Sequence, residues 1–284
     1  MKHHSVDSAA AAKSSSADSS GKALNKKAPV KVVIGLPTAG YTQAEALNCI
    51  WLQAFHLGKY QAEHPEFEFY FRPGGRMFTP MNRERIMAHA LEIGADYVFM
   101  VDDDMVFRAD IFEQLYRHKV DVVAALAFTR NPPHLPVLYQ TREGWDPIAK
   151  REYAGMEWIK NYPKDRLVEV DAVGFGCVLI DMRVVAKMRA PYFMCSSGTG
   201  EDIYFCVQAK KAGARIFSDT STVIGHLSNP MIIGEDEYVK FNDPEMQAKL
   251  YGPYHKYGVY EVCNFEPVAA AVAGEKKEEV VLAT

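Results

Sequence analysis

The sequence predicts an α/β fold, a mostly parallel central sheet flanked by helices. Three observations carry this. Short apolar runs alternate with segments whose apolar residues recur at helical spacing, the order that builds strand–helix–strand units. With 284 residues and 48% hydrophobic composition, the chain can bury a full core as one domain. One apolar run, "YVFMVDDDMVF", ends in three carboxylates, and in open α/β sheets ligands bind at the carboxyl ends of strands.

Residues 1–29 are rich in Ala, Ser and Lys and have no Phe, Trp or Tyr, so they read as a disordered tail that cannot offset its ordering entropy. A single domain is expected over 30–266, with 267–284 as a flexible C-terminal tail. "VKVVIGLP" is a strand stopped by Pro37; residues 42–60 then place Ala46, Ile50, Ala54 and Leu57 on one helix face. "FEFYF" is the second strand. "TPMNRERIMAHALEIG" is a helix with Thr79 as N-cap, Pro80 at the first helical position and Gly94 as stop. It leads into the strand that ends at Asp102, Asp103 and Asp104.

Beyond that point "DVVAALAF" and "GCVLI" read as strands. "EDIYFCVQAKKAGARIF" reads as a helix closed by Gly213 and then a strand, the helix offering Ile203, Cys206, Val207 and the Lys210 stem as its apolar face. Residues 130–165 are too long for a simple connection and hold Trp145 and Trp158, so a lid or substrate-binding insertion is expected.

A net charge of -4 argues against a general polyanion-binding surface. The cysteines, Cys49, Cys177, Cys195, Cys206 and Cys263, are odd in number and form no CxxC pair, which fits a reduced, cytoplasmic compartment. No apolar stretch is long enough to span a membrane, and the N-terminus lacks the apolar core of a signal peptide.

Three adjacent carboxylates repel one another unless they are solvated or share a cation. Two readings therefore stand: a solvated turn, or a seat for a hard divalent ion that takes oxygen ligands. As an enzyme motif, D-x-D after an apolar strand fits a nucleotide-sugar transferase, whose carboxylates hold a metal against a diphosphate. It also fits a haloacid-dehalogenase-like phosphatase, whose D-x-D-x-[TV] is matched by Asp102, Asp104 and Val106. Glu201 and Asp202 occupy the first turn of a helix, where they either complement its dipole or supply a general base. His226 ends the extended segment after "TSTVIG", as a structural residue or as a ligand for an ion such as Mn²⁺.

In order, "GADYVFMVDDDM", "VDAVGFGCVLID", "PYF" and "GEDIYFCVQAKKAGARIFSDTSTVIGHL" resemble the family 2-like glycosyltransferases of the GT-A fold, in the compact form common in bacteria and phages. The resemblance covers roughly residues 30–230 and rests on motif order. It implies one Rossmann-like domain that binds a nucleotide-diphosphate sugar, most commonly a UDP-sugar, with Mn²⁺ or Mg²⁺. Asp104 is then the direct metal ligand, Asp102 either joins it on the metal or lies, with Asp103, near the ribose or the metal waters, and His226 joins the metal or diphosphate. Pro37 and Thr38 line the base pocket; Asn82, Arg83 and Arg85 lie near the base or diphosphate, although "MNRER" departs from the usual Arg-Asn order. Gly174 and Gly176 leave room beside the donor sugar. Asp202 is the base of an inverting transfer, ionised at neutral pH and modest in strength, and Glu201 helps to bind the acceptor.

The resemblance leaves the acceptor open: a glycan, a protein, or a hydroxylated base in DNA. The last rests on a basic tail of Lys13, Lys22, Lys26, Lys27 and Lys31 and on the phage-like look of the family, which would place a phage-encoded enzyme in the host cytoplasm. Trp145 and Trp158 either stack on sugar faces or pack within the insertion. Besides the phosphatase, a binding protein that keeps the fold but has lost transfer is the remaining alternative.

Overall fold

The computed structural model describes residues 28–146, 151–195, 199–228 and 231–245. The expected tails, with Lys13, Lys22, Lys26 and Lys27, lie outside these residues except for positions 28 and 29. Lys31 does not belong to a tail: it is part of the first strand, and its ammonium donates to the carbonyl of Ile93 at 3.0 Å.

The expected α/β architecture is present. Strands β1 (Val30–Leu36), β2 (Phe67–Pro73), β3 (Tyr97–Val101), β5 (Val122–Leu126), β8 (Leu167–Val170), β10 (Cys177–Asp181) and β11 (Ile216–Val223) form a seven-stranded sheet in the order β2-β1-β3-β10-β5-β11-β8. β1, β2, β3, β5 and β11 run one way, while β10 and β8 run against their neighbours. "GCVLI" is thus the antiparallel strand at the centre of the sheet, wedged between β3 and β5.

Strand alternation sends successive side chains to opposite faces. Val33, Val98, Met100, Val122, Ala124 and Ile180 meet helices α2 (Thr79–Glu92) and α5 (Glu201–Lys211). Val32, Ile34, Phe99, Val123, Ala125 and Leu179 meet α1 (Ala44–Glu63) and α3 (Ile111–Tyr116). Both faces of the sheet are covered, which is why its strands read as almost continuous apolar runs.

The helices sit where their periodicity places them, with local corrections. α1 buries Ala46, Cys49, Gln53 and Leu57, so Ile50 and Ala54 flank the buried stripe instead of forming its centre. Phe78, not Thr79, is the N-cap of α2; Thr79 is already helical and Pro80 follows it, still within the first turn, where no donor is needed. Gly94 ends this segment with a φ of 64°, the left-handed conformation that glycine adopts freely. α5 buries Phe205, Cys206 and Ala209; Ile203 and Val207 are only partly covered and Lys210 is exposed. Phe205 wins the interior because its ring fits between Phe175 and Phe193, at centroid distances of 5.2 and 5.1 Å.

The insertion at 130–165 is built around a β-hairpin. β6 (Leu138–Asp146) pairs with β7 (Arg151–Trp158), setting Tyr139 opposite Trp158, and β6 is tied by Leu138 and Tyr139 to β9 (Ala172–Val173). A third sheet pairs β4 (Met105–Val106) with β12 (Gly225–Ser228), and β12 with β13 (Met231–Ile233). No helix among the described residues is long and apolar enough to cross a membrane, and Cys49, Cys177, Cys195 and Cys206 are free thiols.

Candidate functional site

The three aspartates leave the carboxyl end of β3 in a single turn, and each goes to a different partner. The backbone N–H of Asp102 donates to Gly176 at 2.9 Å, anchoring the turn to the segment that enters β10. β4 begins one residue after Asp104, and its antiparallel pairing with β12 sets Met105 opposite His226. Leu227 N–H donates to the carbonyl of Asp104 at 2.8 Å. Short strand pairing thus brings together residues 122 positions apart.

Asp104 Oδ2 lies 3.3 Å from His226 Nε2. The opposite ring nitrogen, Nδ1, is 2.9 Å from the Phe128 carbonyl, which can only accept, so Nδ1 carries a proton and the neutral ring turns its lone pair toward the carboxylate. Two acceptors facing each other need positive charge. A proton on Nε2 supplies it; accordingly, although burial alone would lower the His226 pKa, Asp104 raises it. Arg130 supplies it as well, forming an ion pair with Asp104 Oδ2 while its Nη2 lies 3.3 Å from His226 Nε2. Burial would raise the Asp104 pKa, but His226 and Arg130 outweigh it and hold the carboxyl below its ordinary value.

Asp102 turns away from this pair. Arg83 Nη2 lies 2.8 and 2.9 Å from its two carboxylate oxygens. Arg83 is itself 3% exposed, lies over the Phe175 ring at 5.4 Å, and approaches Glu201 at 3.6 Å from Nε. One buried guanidinium thus ties α2 to the aspartate turn and to the start of α5. Burial pushes the Asp102 carboxyl up, to about 7, with Arg83 pulling the other way. Among the described residues no group of three or more His, Cys, Asp and Glu side chains converges as a metal site. Asp104 and His226 converge on the Arg130 guanidinium; Asp102, expected as a ligand beside them, spends its oxygens on Arg83.

Asp202 sits in the first turn of α5, and its Oδ1 accepts from Ile203 N–H at 2.7 Å. Its pKa is raised, first by burial and then by Glu201, against the pull of Arg83. Burial outweighs the helix terminus, so the Asp202 carboxyl holds its proton more readily than an exposed carboxylate would.

Asp103 faces the turn after β1, where the Thr38 hydroxyl and Ala39 N–H hold its carboxyl down, though burial still leaves its pKa raised. Asn82 is buried and stitches this turn: its amide donates to the carbonyls of Thr38 and Met77 at 2.8 and 3.1 Å and accepts from Gly75 N–H at 2.9 Å. Its polar atoms are thereby engaged inside the protein. Pro37 is buried, while Arg85 is exposed beside Gly75 and Met77. The room left by Gly174 and Gly176 is taken by protein: a Cβ at Gly174 would meet Val137 Cβ at 2.8 Å, and one at Gly176 would meet Met105 Cε at 2.7 Å. Their smallness serves close packing under the site, where the sequence suggested open space beside a sugar.

Sequence reasoning passed over two features. Arg130, on the loop after β5, carries no motif and is found only by tracing what surrounds Asp104. Tyr139 is half-buried, its pKa is raised by burial and by Asp202, and its ring lies 5.6 Å from that of Trp158. Trp158 is 38% exposed, so Tyr139, which feels the charge of Asp202, is flanked by an accessible aromatic side chain. The side chain of Trp145 lies outside the described residues.

No family model matches the chain, and no curated protein matches it. Among solved structures it is similar to a protein from STIV, with 17% identity and a TM-score of 0.49 over 73% of this chain and 92% of that one. It is also similar to GalNAc-T7 with UDP, GalNAc and Mn²⁺, with 10% identity and a TM-score of 0.42 over 70% of this chain and 43% of that one. The catalytic domain of Drosophila β1,4-galactosyltransferase 7 in complex with xylobiose matches with 13% identity and a TM-score of 0.39, over 70% of this chain and 71% of that one. Likeness this distant carries no argument about what this chain does.

Proposed function

We propose that the protein is a glycosyltransferase of the GT-A type, moving a sugar from a nucleotide-diphosphate donor, a UDP-sugar first, to an acceptor hydroxyl with inversion. The observation that carries this reading is a couple of acceptors that demand a cation, Asp104 and His226, at the carboxyl ends of the strands, beside an Arg83 that ties Asp102 to Glu201, the residue before the half-buried, proton-accepting Asp202. The imidazole lone pair beside the carboxylate suits Mn²⁺ better than Mg²⁺, which would use the carboxylate and water, so these two residues would hold the ion. Bound there, the ion would neutralise charge on the departing diphosphate. Asp202 takes the proton of the acceptor hydroxyl as its oxygen attacks the anomeric carbon from the face opposite the leaving nucleotide. Arg83 keeps Asp102 and Glu201 in place while this occurs, so that the reacting groups meet in fixed geometry. Trp158 offers an apolar face for an acceptor ring; glycan, protein and hydroxylated DNA base remain the acceptor classes to test.

The phosphatase alternative needs the aspartates of D-x-D free to act on a phosphate. Both oxygens of Asp102 are instead held by Arg83. A thermal-shift panel of UDP, GDP, CDP and TDP, each with and without Mn²⁺, tests the transferase reading on the full chain and on Asp104→Ala. Stabilisation by one diphosphate that requires Mn²⁺ and vanishes in the variant is the expected result. Stabilisation by none overturns it. Nucleotide binding with neither transfer nor donor hydrolysis would identify the non-catalytic binding protein.

A further inference from the structure

Arg130 stands where a cation would stand. Its guanidinium engages Asp104 Oδ2 and lies 3.3 Å from His226 Nε2, so it meets the same two atoms that would hold a divalent ion. The loop bearing it is firmly seated. Thr129 N–H donates to Leu135 O at 2.8 Å, and Leu135 N–H returns to Thr129 Oγ1 at 2.9 Å. From below, α6 (Glu235–Phe241) stacks Tyr238 on Phe128 at 5.2 Å, and Asn242 donates to Pro133 O at 2.5 Å. Arg130 itself is exposed, so its side chain can turn outward without moving this base.

The protein also offers a divalent ion little else. Asp102 is committed to Arg83, and Asp103 faces Thr38, which leaves the Asp104 carboxylate and the His226 imidazole as the ligands that converge. Divalent ions of this class complete about six ligands, so the remaining positions fall to water and to an incoming anion.

We infer that Arg130 is an exchangeable cation: it neutralises Asp104 and His226 in the free protein, yields them to a divalent ion, and then turns to the phosphates of the donor. This rests on the transferase reading and deepens it by coupling metal entry to diphosphate entry. The exchange makes each weak without the other, because the metal must displace a bound charge and the displaced charge needs an anion. Arg130 is on this account a positioning residue for both ligands.

Mn²⁺ affinity is measured from the electron paramagnetic resonance signal of the free ion, on the full chain without nucleotide, for the native protein, Arg130→Met and Arg130→Lys. Arg130→Met should bind Mn²⁺ about tenfold more tightly than the native chain, the size of an ordinary coupling between sites. Arg130→Lys, which keeps a competing charge, should stay near native. With saturating Mn²⁺, the same Arg130→Met should bind UDP more weakly by calorimetry. Unchanged or weaker Mn²⁺ binding in Arg130→Met overturns the exchange, as does an absence of Mn²⁺ binding in all three. UDP calorimetry in EDTA then separates the failures: binding that survives keeps the nucleotide-binding reading but removes the metal requirement together with the role of Arg130, and an absence of UDP binding with or without Mn²⁺ overturns the transferase reading itself.

Discussion

Arg83 and Asp102 form a buried pair in which one guanidinium nitrogen lies 2.8 and 2.9 Å from both carboxylate oxygens. The pair faces the interior on the arginine side, at 3% exposure, and the site on the aspartate side. A buried charge without its partner is costly, whereas removing both partners is far cheaper.

Arg83→Met should therefore cost about 3–5 kcal/mol of unfolding free energy, measured in urea, because Asp102 and Glu201 lose their shared counter-charge. Adding Asp102→Asn to that variant should recover part of the loss. A single variant as stable as the native chain would remove the clamp from this account.

If Asp202 is the base, the acid limb of its pH–rate profile must reflect its raised pKa. Protonation silences it as pH falls, so kcat/KM should begin to drop above the range of an ordinary exposed carboxylate. Asp202→Asn should lower kcat by about 10²-fold or more while leaving nucleotide affinity nearly unchanged. An acid limb in the ordinary carboxylate range would assign the base elsewhere.

On β11, the fully buried Asp219 accepts from Ser221 Oγ at 2.5 Å, Thr222 Oγ1 at 2.8 Å and Arg117 Nη2 at 2.9 Å, and pairs with His118 at 2.8 Å. Burial alone would raise its pKa, but these donors bring it down from 3.8 to about 2. A depressed folded-state value stabilises above the unfolded pKa and is lost as pH falls toward the folded one. About 2 kcal/mol should thus disappear as pH drops from about 4 to 2. Asp219→Asn should flatten that part of the curve; an unaltered acid transition would show that the network contributes nothing to it.

Gly174 and Gly176 should respond differently to a methyl group. A Cβ at Gly174 meets the stiff, branched Val137, whereas one at Gly176 meets the flexible end of Met105. Gly174→Ala should cost about 1–3 kcal/mol and Gly176→Ala less, with UDP affinity unchanged in both if packing is the reason for the glycines. Lost UDP affinity at native stability would restore the role of donor-sugar space.

The order of strands and helices was legible because both faces of the sheet are covered, so "VKVVIGL", "YVFMV" and "VVAAL" read as apolar runs separated by helical periods. The carboxylates at the end of β3, the acids opening α5 and His226 at the end of an extended segment were likewise visible as residue types at element ends. The sequence by itself determined which residues stand at those ends. Which of them face one another was decided by tertiary structure: the antiparallel entry of β10, the pairing of β4 with β12, and the burial of Arg83 gave Asp102, Asp103 and Asp104 three separate partners. Arg130 could not be foreseen for the same reason. Its partners lie 26 and 96 residues away, and its charge gains meaning only from the two acceptors the fold sets before it.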